Sequence, residues 1–242
     1  MKQDDINILC TRPLPAFLID DAKMIGIAID ELSFIDTAPF NDLEVTAVIE
    51  NILTQTATIV FTSMNAVDVV ADKLAVKLAD KLVGQLPDWK IYCIGTTTNH
   101  LVKKYFGESA IAGTAFNAAA LANLIAADRF IDEVTFFCGD QRRDELPEIL
   151  RKNNIDVNEV VVYHTITTAV KINKDYQGIL FFSPSAVASF FSVNQLPTST
   201  VLFAIGDTTA AALKEFSTNK IITSDQPGKE NLVKKMMEYY AA

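Results

Sequence analysis

The sequence is poor in the residues that most often build metal sites and acid–base centres. It contains only two histidines, His100 and His164, and three cysteines, Cys10, Cys93 and Cys138. None of them stands at a spacing typical of zinc ligands, so we do not expect a metal site. The cysteines are odd in number and lie near the ends of apolar runs. This placement favours buried, reduced thiols over a disulfide framework.

The chain also lacks an excess of positive charge and a long apolar run. Its 21 basic residues face 30 acidic ones, which gives a net charge of −9. Nucleic acids and anionic membrane surfaces both favour a basic partner, so neither is an expected ligand. No apolar run approaches the roughly 18 residues that cross a bilayer. We therefore expect a soluble protein of the cytoplasm.

Several familiar motifs are missing as well. The sequence has no Gly-x-Gly-x-x-Gly and no Gly-Lys-(Ser/Thr), so a nicotinamide cofactor and a phosphate-binding Walker loop are not expected. No Gly-x-Ser-x-Gly elbow surrounds Ser63 or Ser183, which argues against a serine hydrolase. An anionic ligand would have to be bound by local groups in an acidic protein.

Two signatures that each occur twice are the most informative feature of the sequence. The segment Phe61–Val67 (FTSMNAV) returns as Phe181–Val187 (FFSPSAV). The segment Ile94–Thr98 (IGTTT) returns as Ile205–Thr209 (IGDTT). Because the order is the same in both copies, we infer two related halves. Each signature follows a strand-like run and opens a helical pattern. Hydroxyls and backbone N–H groups are thereby placed at helix N-termini, where anions bind.

Strand-like and helical patterns alternate along the whole chain. This alternation predicts an α/β fold whose parallel sheets are covered on both faces. The apolar runs predict strands near 6–10, 25–29, 58–62, 90–94, 109–112, 133–138, 158–163, 178–183, 200–205 and 219–223. Apolar residues at three- and four-residue spacing predict helices near 14–22, 41–54, 65–83, 98–107, 117–127, 143–153, 185–193, 208–216 and 229–240.

No flexible linker separates the two halves. Two extended stretches, 31–40 and 162–171, are rich in Thr or β-branched residues and are predicted to cross between two lobes. One lobe would then comprise residues 1–36 and 172–242, with residues 40–168 inserted as the other. The repeated signatures would fall in different lobes, and four helix N-termini would converge on a cleft as a cradle for a polyanion.

The turns themselves suggest specific contacts. Ser183 before Pro184 is typical of a helix N-cap with proline at the first helical position, and Ser63 is its equivalent. Gly95 and Gly206 permit a tight turn, and the threonines that follow are expected to cap the helices.

Four further residues are candidates, and two of them, Arg12 and Tyr163, have two open interpretations each. Arg12 follows the first strand, at the edge where α/β sheets bind ligands, or it pairs with Asp20 or Asp21. Of Arg142 and Arg143, one is expected to pair within its own helix. Tyr163 closes a β-branched run, where it packs at the hinge or offers a proton to a leaving group.

Together these residues resemble the uroporphyrinogen-III synthase family over almost the whole chain. The match is carried by the order of the segments Thr11–Pro13, Phe61–Val67, Ile94–Thr98, Gly139–Arg143, Val162–Thr165, Phe182–Val187 and Ala204–Ala210. Two departures are visible: Cys138 stands where the family often has arginine, and Asp207 where it commonly has proline.

The resemblance implies a function and a set of site residues. The family members are cofactor-free lyases with two flavodoxin-like lobes joined by two β-strands. They cyclise hydroxymethylbilane, a linear tetrapyrrole, with loss of water and inversion of ring D. Tyr163 would be the proton donor. The expected substrate-binding residues are Thr11, Arg12, Ser63, Asn65, Gly95, Thr98, Arg143, Ser183, Ser185, Thr208 and Thr209. The family also implies a monomer and a transient contact with the preceding enzyme of the pathway.

Two other classes of protein remain as alternatives. A non-catalytic two-lobed ligand-binding protein also joins α/β lobes by crossing strands. A pair of receiver-like regulatory domains would need an acceptor aspartate at a central strand end, where this chain has Ser63 and Ser183.

Overall fold

The computed structural model describes residues 6–40, 43–81, 86–226 and 228–241. In chain order its elements are β1 (Ile6–Cys10), α1 (Ala16–Met24), β2 (Ile27–Glu31), β3 (Ile35–Pro39), α2 (Leu43–Ile52), β4 (Ala57–Phe61), α3 (Met64–Lys81), β5 (Trp89–Ile94), α4 (Thr96–Phe106), a short 3₁₀ turn (Glu108–Ala110), β6 (Ile111–Ala115), α5 (Ala118–Ala126), β7 (Glu133–Gly139), α6 (Glu145–Lys152), β8 (Asp156–Thr167), β9 (Gly178–Phe181), α7 (Pro184–Phe191), β10 (Val201–Ala204), α8 (Asp207–Phe216), β11 (Ile221–Thr223) and α9 (Lys229–Ala241).

The predicted alternation of strands and helices is confirmed. Every predicted element has a counterpart within a few residues. The helix predicted over 65–83 is α3, and residues 82 and 83 lie outside the described residues. One strand, β3, lies in a stretch that the sequence identified only as extended.

The first compact unit comprises Met1–Asp36 and Ile166–Ala242. Its sheet has the order β2-β1-β9-β10-β11, and all neighbouring strands are parallel. Numbered within this unit, the order is 2-1-3-4-5, which is the flavodoxin-like arrangement. The order reverses between β1 and β9, so these two strands form the switch point where such sheets bind ligands.

The second compact unit is Thr37–Thr165, and its sheet has the order β3-β8-β7-β4-β5-β6. The strands β8, β7, β4, β5 and β6 are parallel. Their spatial order across the sheet corresponds to that of β2, β1, β9, β10 and β11 in the first unit. The repeated signatures follow β4 and β5 in one unit and β9 and β10 in the other. Equivalent strands therefore occupy equivalent positions in the two sheets, although they follow one another in a different order along the chain.

Two strands carry the chain across the boundary between the units. The boundary falls between Asp36 and Thr37, inside β3, and between Thr165 and Ile166, inside β8. The amide of Phe40 donates to the carbonyl of Val162, and that of Thr168 to the carbonyl of Phe34. These bonds make β3 and β8 an antiparallel pair. The predicted fold class, two α/β lobes joined by two extended strands, is confirmed.

Both faces of each sheet are covered by apolar side chains. In β4, Ile59 and Phe61 pack into one cluster, while Val60 packs into another on the opposite face. In β9, Leu180 belongs to one cluster, and Ile179 and Phe181 to the other. Because side chains alternate along a strand, a continuous apolar run is what a doubly covered parallel strand requires.

The three cysteines are free and buried, as the sequence predicts. Burial raises the pKa of Cys10 to about 12 and that of Cys138 to about 11, and it also raises the pKa of Cys93. A thiol with so high a pKa holds its proton and is a poor nucleophile. No helix within the described ranges is long and apolar enough to cross a membrane.

Candidate functional site

Tyr163 and Ser63 meet at the carboxyl edge of the sheet in the second unit. Tyr163 lies on β8, and Ser63 follows β4, with β7 between them. The phenolic oxygen of Tyr163 donates a hydrogen bond of 3.0 Å to the Oγ of Ser63. Both side chains are half-buried. The predicted proton donor is therefore joined to a second hydroxyl.

A glycine on the intervening strand makes this contact possible. Gly139 ends β7 and pairs with Tyr163 across the sheet. A Cβ at Gly139 would lie 2.4 Å from Cζ of the Tyr163 ring and 2.7 Å from its hydroxyl oxygen. Real side chains do not approach so closely, because repulsion rises steeply below van der Waals contact. The ring of Tyr163 thus occupies the space that any other residue at 139 would fill.

Ser63 accepts a second hydrogen bond from the start of α3. The backbone N–H of Asn65 donates to its Oγ at 3.2 Å. A serine hydroxyl has two acceptor lone pairs and one proton. With the lone pairs accepting from Tyr163 and Asn65, the Ser63 hydroxyl still has its own proton to donate. The Asn65 side chain itself is half-buried at the same edge.

Asp140 fixes the backbone around Tyr163. Its N–H donates to the carbonyl of Tyr163 at 3.1 Å, and its carboxylate accepts from the N–H of Thr165 at 3.0 Å. The other carboxylate oxygen lies 3.2 Å from Nδ1 of His164, whose ring packs against Phe40 at 4.3 Å. Sequence analysis missed Asp140, although its place directly after Gly139 marks a strand end.

The prediction that threonines cap the helices after the two glycine turns is wrong. The N-cap residues of α4 and α8 are Gly95 and Gly206 themselves, and no side chain caps either helix. Thr98 and Thr209 lie in the first turns and are buried, whereas Thr208 is exposed. The N-caps stand three residues before Thr98 and Thr209, so these two threonines lie inside the first helical turn instead of capping it.

The two glycines differ in backbone conformation. Gly95 has φ +69°, a left-handed value that favours glycine. Gly206 has φ −179°, an extended value open to any residue. At both positions a Cβ would meet no atom within 4 Å. The backbone is therefore approachable at both turns, and only Gly95 needs glycine for its conformation.

A cavity of about 580 Å³ lies beside Gly95. It is lined by residues of α4, the 3₁₀ turn and β6 and by their neighbours: Gly95, Thr96, Asn99, Lys103, Glu108, Ile111, Thr114, Ala115 and Phe116. Lys103 and Glu108 form an ion pair of 2.6 Å, and the Phe116 ring is 85% exposed.

The first unit places Ser183 and Ser185 after β9. Ser183 is the N-cap of α7, where its Oγ accepts from the N–H of Ala186 at 3.2 Å and Pro184 is the first helical residue. This confirms the predicted cap. The Oγ atoms of Ser183 and Ser185 lie 3.1 Å apart and are half-buried. Their hydroxyls form a short polar row at the switch point.

Thr11 has a structural contact. It is buried, and both its N–H and its hydroxyl donate to the carbonyl of Leu180, at 3.1 Å and 2.8 Å. These bonds tie the loop after β1 to β9. The neighbouring residue Arg12 is exposed and forms no ion pair with Asp20 or Asp21 in the part of the chain that the structure describes. Lys229, which sequence analysis did not identify, lies beside it.

Of the two adjacent arginines, Arg142 has structural partners. It forms ion pairs with Asp144, the residue before α6, and with Glu159 on β8. Glu159 also binds Arg151 at 2.6 Å. Both partners lie outside α6, which begins at Glu145, so Arg142 does not make the pairing within the helix that was expected of one of the two arginines. Arg143 is exposed, with polar contacts of its own.

In each unit, the strand ends described above offer hydroxyls, backbone N–H groups and a few cations. No group of three or more His, Cys, Asp or Glu residues that could hold a metal ion is found among the residues described. Such a set of groups can bind an anion and supply a proton. The thiols, which burial keeps protonated, do not contribute a nucleophile.

Comparison with known proteins identifies a family that this chain matches. The family model of uroporphyrinogen-III synthase HemD matches residues 18–234. A porphyrin biosynthesis protein HemD from Ruminiclostridium josui is 27% identical over 246 residues, which cover 96% of this chain and 48% of that protein. The chain thus spans about half the length of the curated relative it matches.

Two solved structures share the fold. Uroporphyrinogen-III synthetase from Helicobacter pylori superposes with a TM-score of 0.65 at 16% identity, covering 97% of this chain and 99% of that one. A mutant uroporphyrinogen III synthase from Thermus thermophilus gives 0.62 at 12% identity, with 98% of both chains covered. At these identities the likeness concerns the fold alone.

Proposed function

This chain belongs to the uroporphyrinogen-III synthase HemD family, and from that membership we propose that it cyclises hydroxymethylbilane to uroporphyrinogen III. The reaction removes the terminal hydroxyl of the linear tetrapyrrole as water and inverts ring D before the macrocycle closes. The observation that carries the proposal is the pair of linked hydroxyls, Tyr163 and Ser63, at the carboxyl edge of a sheet.

The demand on the protein is mainly one of positioning. The unassisted bilane also closes, but without inversion, so the enzyme must hold the ends of the chain in the geometry that gives the inverted product. The carboxylates on each pyrrole ring are the groups by which the protein can hold the substrate. Backbone N–H groups at the starts of α4 and α8 and the residues Arg12, Arg143, Ser183, Ser185 and Thr208 are proposed to bind them.

Tyr163 and Ser63 are proposed to deliver one proton together. The Ser63 proton passes to the leaving hydroxyl as its carbon–oxygen bond breaks, and the Tyr163 proton passes to Ser63 Oγ. The electron pair of the broken bond leaves with the oxygen as water. After ring D has been inverted, the macrocycle closes at the unsubstituted α-carbon of that ring, and this carbon loses its hydrogen as the proton that restores the hydroxyl pair. The hydrogen bond from Tyr163 to Ser63 supports this route.

The same family membership supports a cytoplasmic location and action as a monomer. A transient contact with the enzyme that supplies hydroxymethylbilane is also proposed, because this substrate closes spontaneously to the uninverted isomer. The acidic net charge of −9 is compatible with this role if the carboxylates of the substrate are bound by local groups and the acidic side chains lie elsewhere.

The test is a product assay with the purified protein. Hydroxymethylbilane is added with and without a chelator, and the porphyrin isomers are separated after oxidation. We expect the type III isomer in both samples and the type I isomer in a sample without protein. Type I product alone would refute the proposed activity. Saturable binding of the bilane without turnover would instead favour the non-catalytic ligand-binding alternative.

A further inference from the structure

Two cations meet at the carboxyl end of β1. Lys229 is the first residue of α9, and its Nζ donates a hydrogen bond of 2.6 Å to the carbonyl of Pro13. Pro13 follows Arg12 in the loop after β1. A helix from the far end of the sequence therefore brings an ammonium group onto the loop that carries the guanidinium.

The two positive charges act on each other. Burial lowers the pKa of Lys229, and the positive charge of Arg12 lowers it further, while Cys10 and Glu31 act in the opposite direction. Like charges in a partly desolvated place repel, so the pair is stabilised when an anion binds between or beside them.

No carboxylate of the protein neutralises this pair within the described residues. The carboxylate of Glu31 attracts Lys229 electrostatically, but its Oε1 accepts from the N–H of Leu14, and it forms no ion pair with Arg12 or Lys229 in the described part of the chain. Two other lysines of the same unit are paired: Lys174 with Asp30 at 2.9 Å, and Lys235 with Asp225 at 2.7 Å. Arg12 and Lys229 have no ion-pair partner among the described residues.

The pair also lies at the switch point of its sheet. β1 is hydrogen-bonded to β9, and the hydroxyls of Ser183 and Ser185 follow β9. The hydroxyl of Thr11 holds the loop after β1 to β9 through the Leu180 carbonyl. Cations and hydroxyl donors therefore come together at the edge where open α/β sheets bind ligands.

We propose that Arg12 and Lys229 form a subsite for a carboxylate side chain of the tetrapyrrole. This inference rests on the proposed function and adds Lys229 as a residue that determines where the substrate is held. The guanidinium offers two parallel donors to a carboxylate, and the ammonium adds a point charge from a second element. Lys229 acts in binding, at a place separate from the hydroxyl pair that supplies the proton.

The test compares four proteins: wild type, Lys229→Gln, Lys229→Arg and Lys235→Gln. Glutamine keeps a donor for the Pro13 carbonyl but removes the charge, and arginine restores the charge. Lys235→Gln removes a charge from the same helix at a paired position, so it is the matched control. We expect Lys229→Gln to raise the KM for hydroxymethylbilane about tenfold, as loss of one charge-assisted hydrogen bond implies, with kcat changed less than about twofold.

Binding of uroporphyrin III, measured by its fluorescence, provides a second readout. Its dissociation constant should rise by a similar factor in Lys229→Gln, recover in Lys229→Arg and stay unchanged in Lys235→Gln. Added NaCl should weaken binding more in wild type than in Lys229→Gln, because screening acts on the charge that the variant lacks.

The outcomes separate the subsite from the function. If wild type makes the type III isomer but Lys229→Gln keeps the wild-type KM and porphyrin affinity, the subsite is refuted and the activity stands. If wild type makes no type III isomer, the proposed activity is refuted. An equal loss in Lys229→Gln and Lys235→Gln would show a general effect of charge and would also refute the subsite.

Discussion

The hydroxyl of Tyr163 lies 3.0 Å from the Oγ of Ser63, although the two residues are 100 positions apart in the chain. The contact spans a whole strand, since β7 lies between β8 and β4. It depends on Gly139, whose missing side chain leaves room for the ring. The hydroxyl pair depends on three strands and one glycine, so substitutions at several positions can test its role.

Removing the phenolic hydroxyl should lower turnover without unfolding the protein. Tyr163→Phe keeps the ring over Gly139 and removes the proton, so we expect kcat to fall by about 10²-fold or less, at the lower end of general-acid effects. The melting temperature should change little. Steady-state kinetics with hydroxymethylbilane and thermal unfolding measure the two effects. Full wild-type turnover in this variant would exclude a donor role for Tyr163.

Ser63→Ala should reduce turnover by a similar factor if the proton passes through Ser63. The double variant Tyr163→Phe/Ser63→Ala should then be hardly slower than either single variant, because the two groups act as one unit. Independent roles would make the two losses multiply. Unchanged kcat in Ser63→Ala would assign the donor role to Tyr163 acting directly.

Gly139→Ala should displace the Tyr163 ring. The added methyl would lie 2.4 Å from the ring in the present arrangement, so either the ring or β7 must move. We expect a destabilisation of about 1–3 kcal/mol, as for overpacked positions, together with a loss of turnover at least as large as in Tyr163→Phe. In a Tyr163→Ala background the additional destabilisation by Gly139→Ala should largely disappear. Denaturant unfolding of the four proteins completes this cycle.

The two turn glycines should respond differently to alanine. Gly95→Ala places a side chain at φ +69° and should destabilise the protein by about 1 kcal/mol. Gly206→Ala fits the extended backbone and empty space, so its stability should stay near that of wild type. If a substrate carboxylate approaches the backbone at Gly206, the methyl should raise KM severalfold. Wild-type KM and stability in Gly206→Ala would leave this turn without a role in binding.

Stability should fall as the pH rises above about 9. The pKa of Cys10 is raised from 9.0 in the unfolded chain to about 12 in the fold by burial, so between these values only the unfolded chain releases the proton. The unfolded state then binds fewer protons, and the free energy of unfolding decreases by up to about 1.4 kcal/mol per pH unit for this thiol. Below pH 9 the contribution is constant.

Urea unfolding at pH 8, 9 and 10 measures this slope, and Cys10→Ala is the comparison. The variant should be less stable at pH 8 if the smaller side chain leaves a cavity, but its stability should decline less steeply with pH. Equal slopes in both proteins would show that Cys10 does not cause the decline. The thiol reagent DTNB should react with the native protein only slowly, because all three thiols are buried.

The sequence by itself determined the fold class, because its signals are local. Apolar runs and three- and four-residue spacings identify strands and helices within single segments, and Ser183 before Pro184 places a helix start without any distant contact. The repeated signatures showed that the halves are related. The order of family segments then pointed to a function that composition alone could not.

Only the tertiary structure decided which residues meet. Gly139 is required because a ring from β8 crosses it to reach β4, and neither neighbour is visible in its own segment. Lys229 contacts Pro13 in the loop that carries Arg12, although the two residues are 216 positions apart in the chain. Thr11 and Thr98, plausible ligand contacts in the sequence, are buried in the fold. Strand order and burial are set by packing between distant segments, so local patterns predict the elements but not their meeting points.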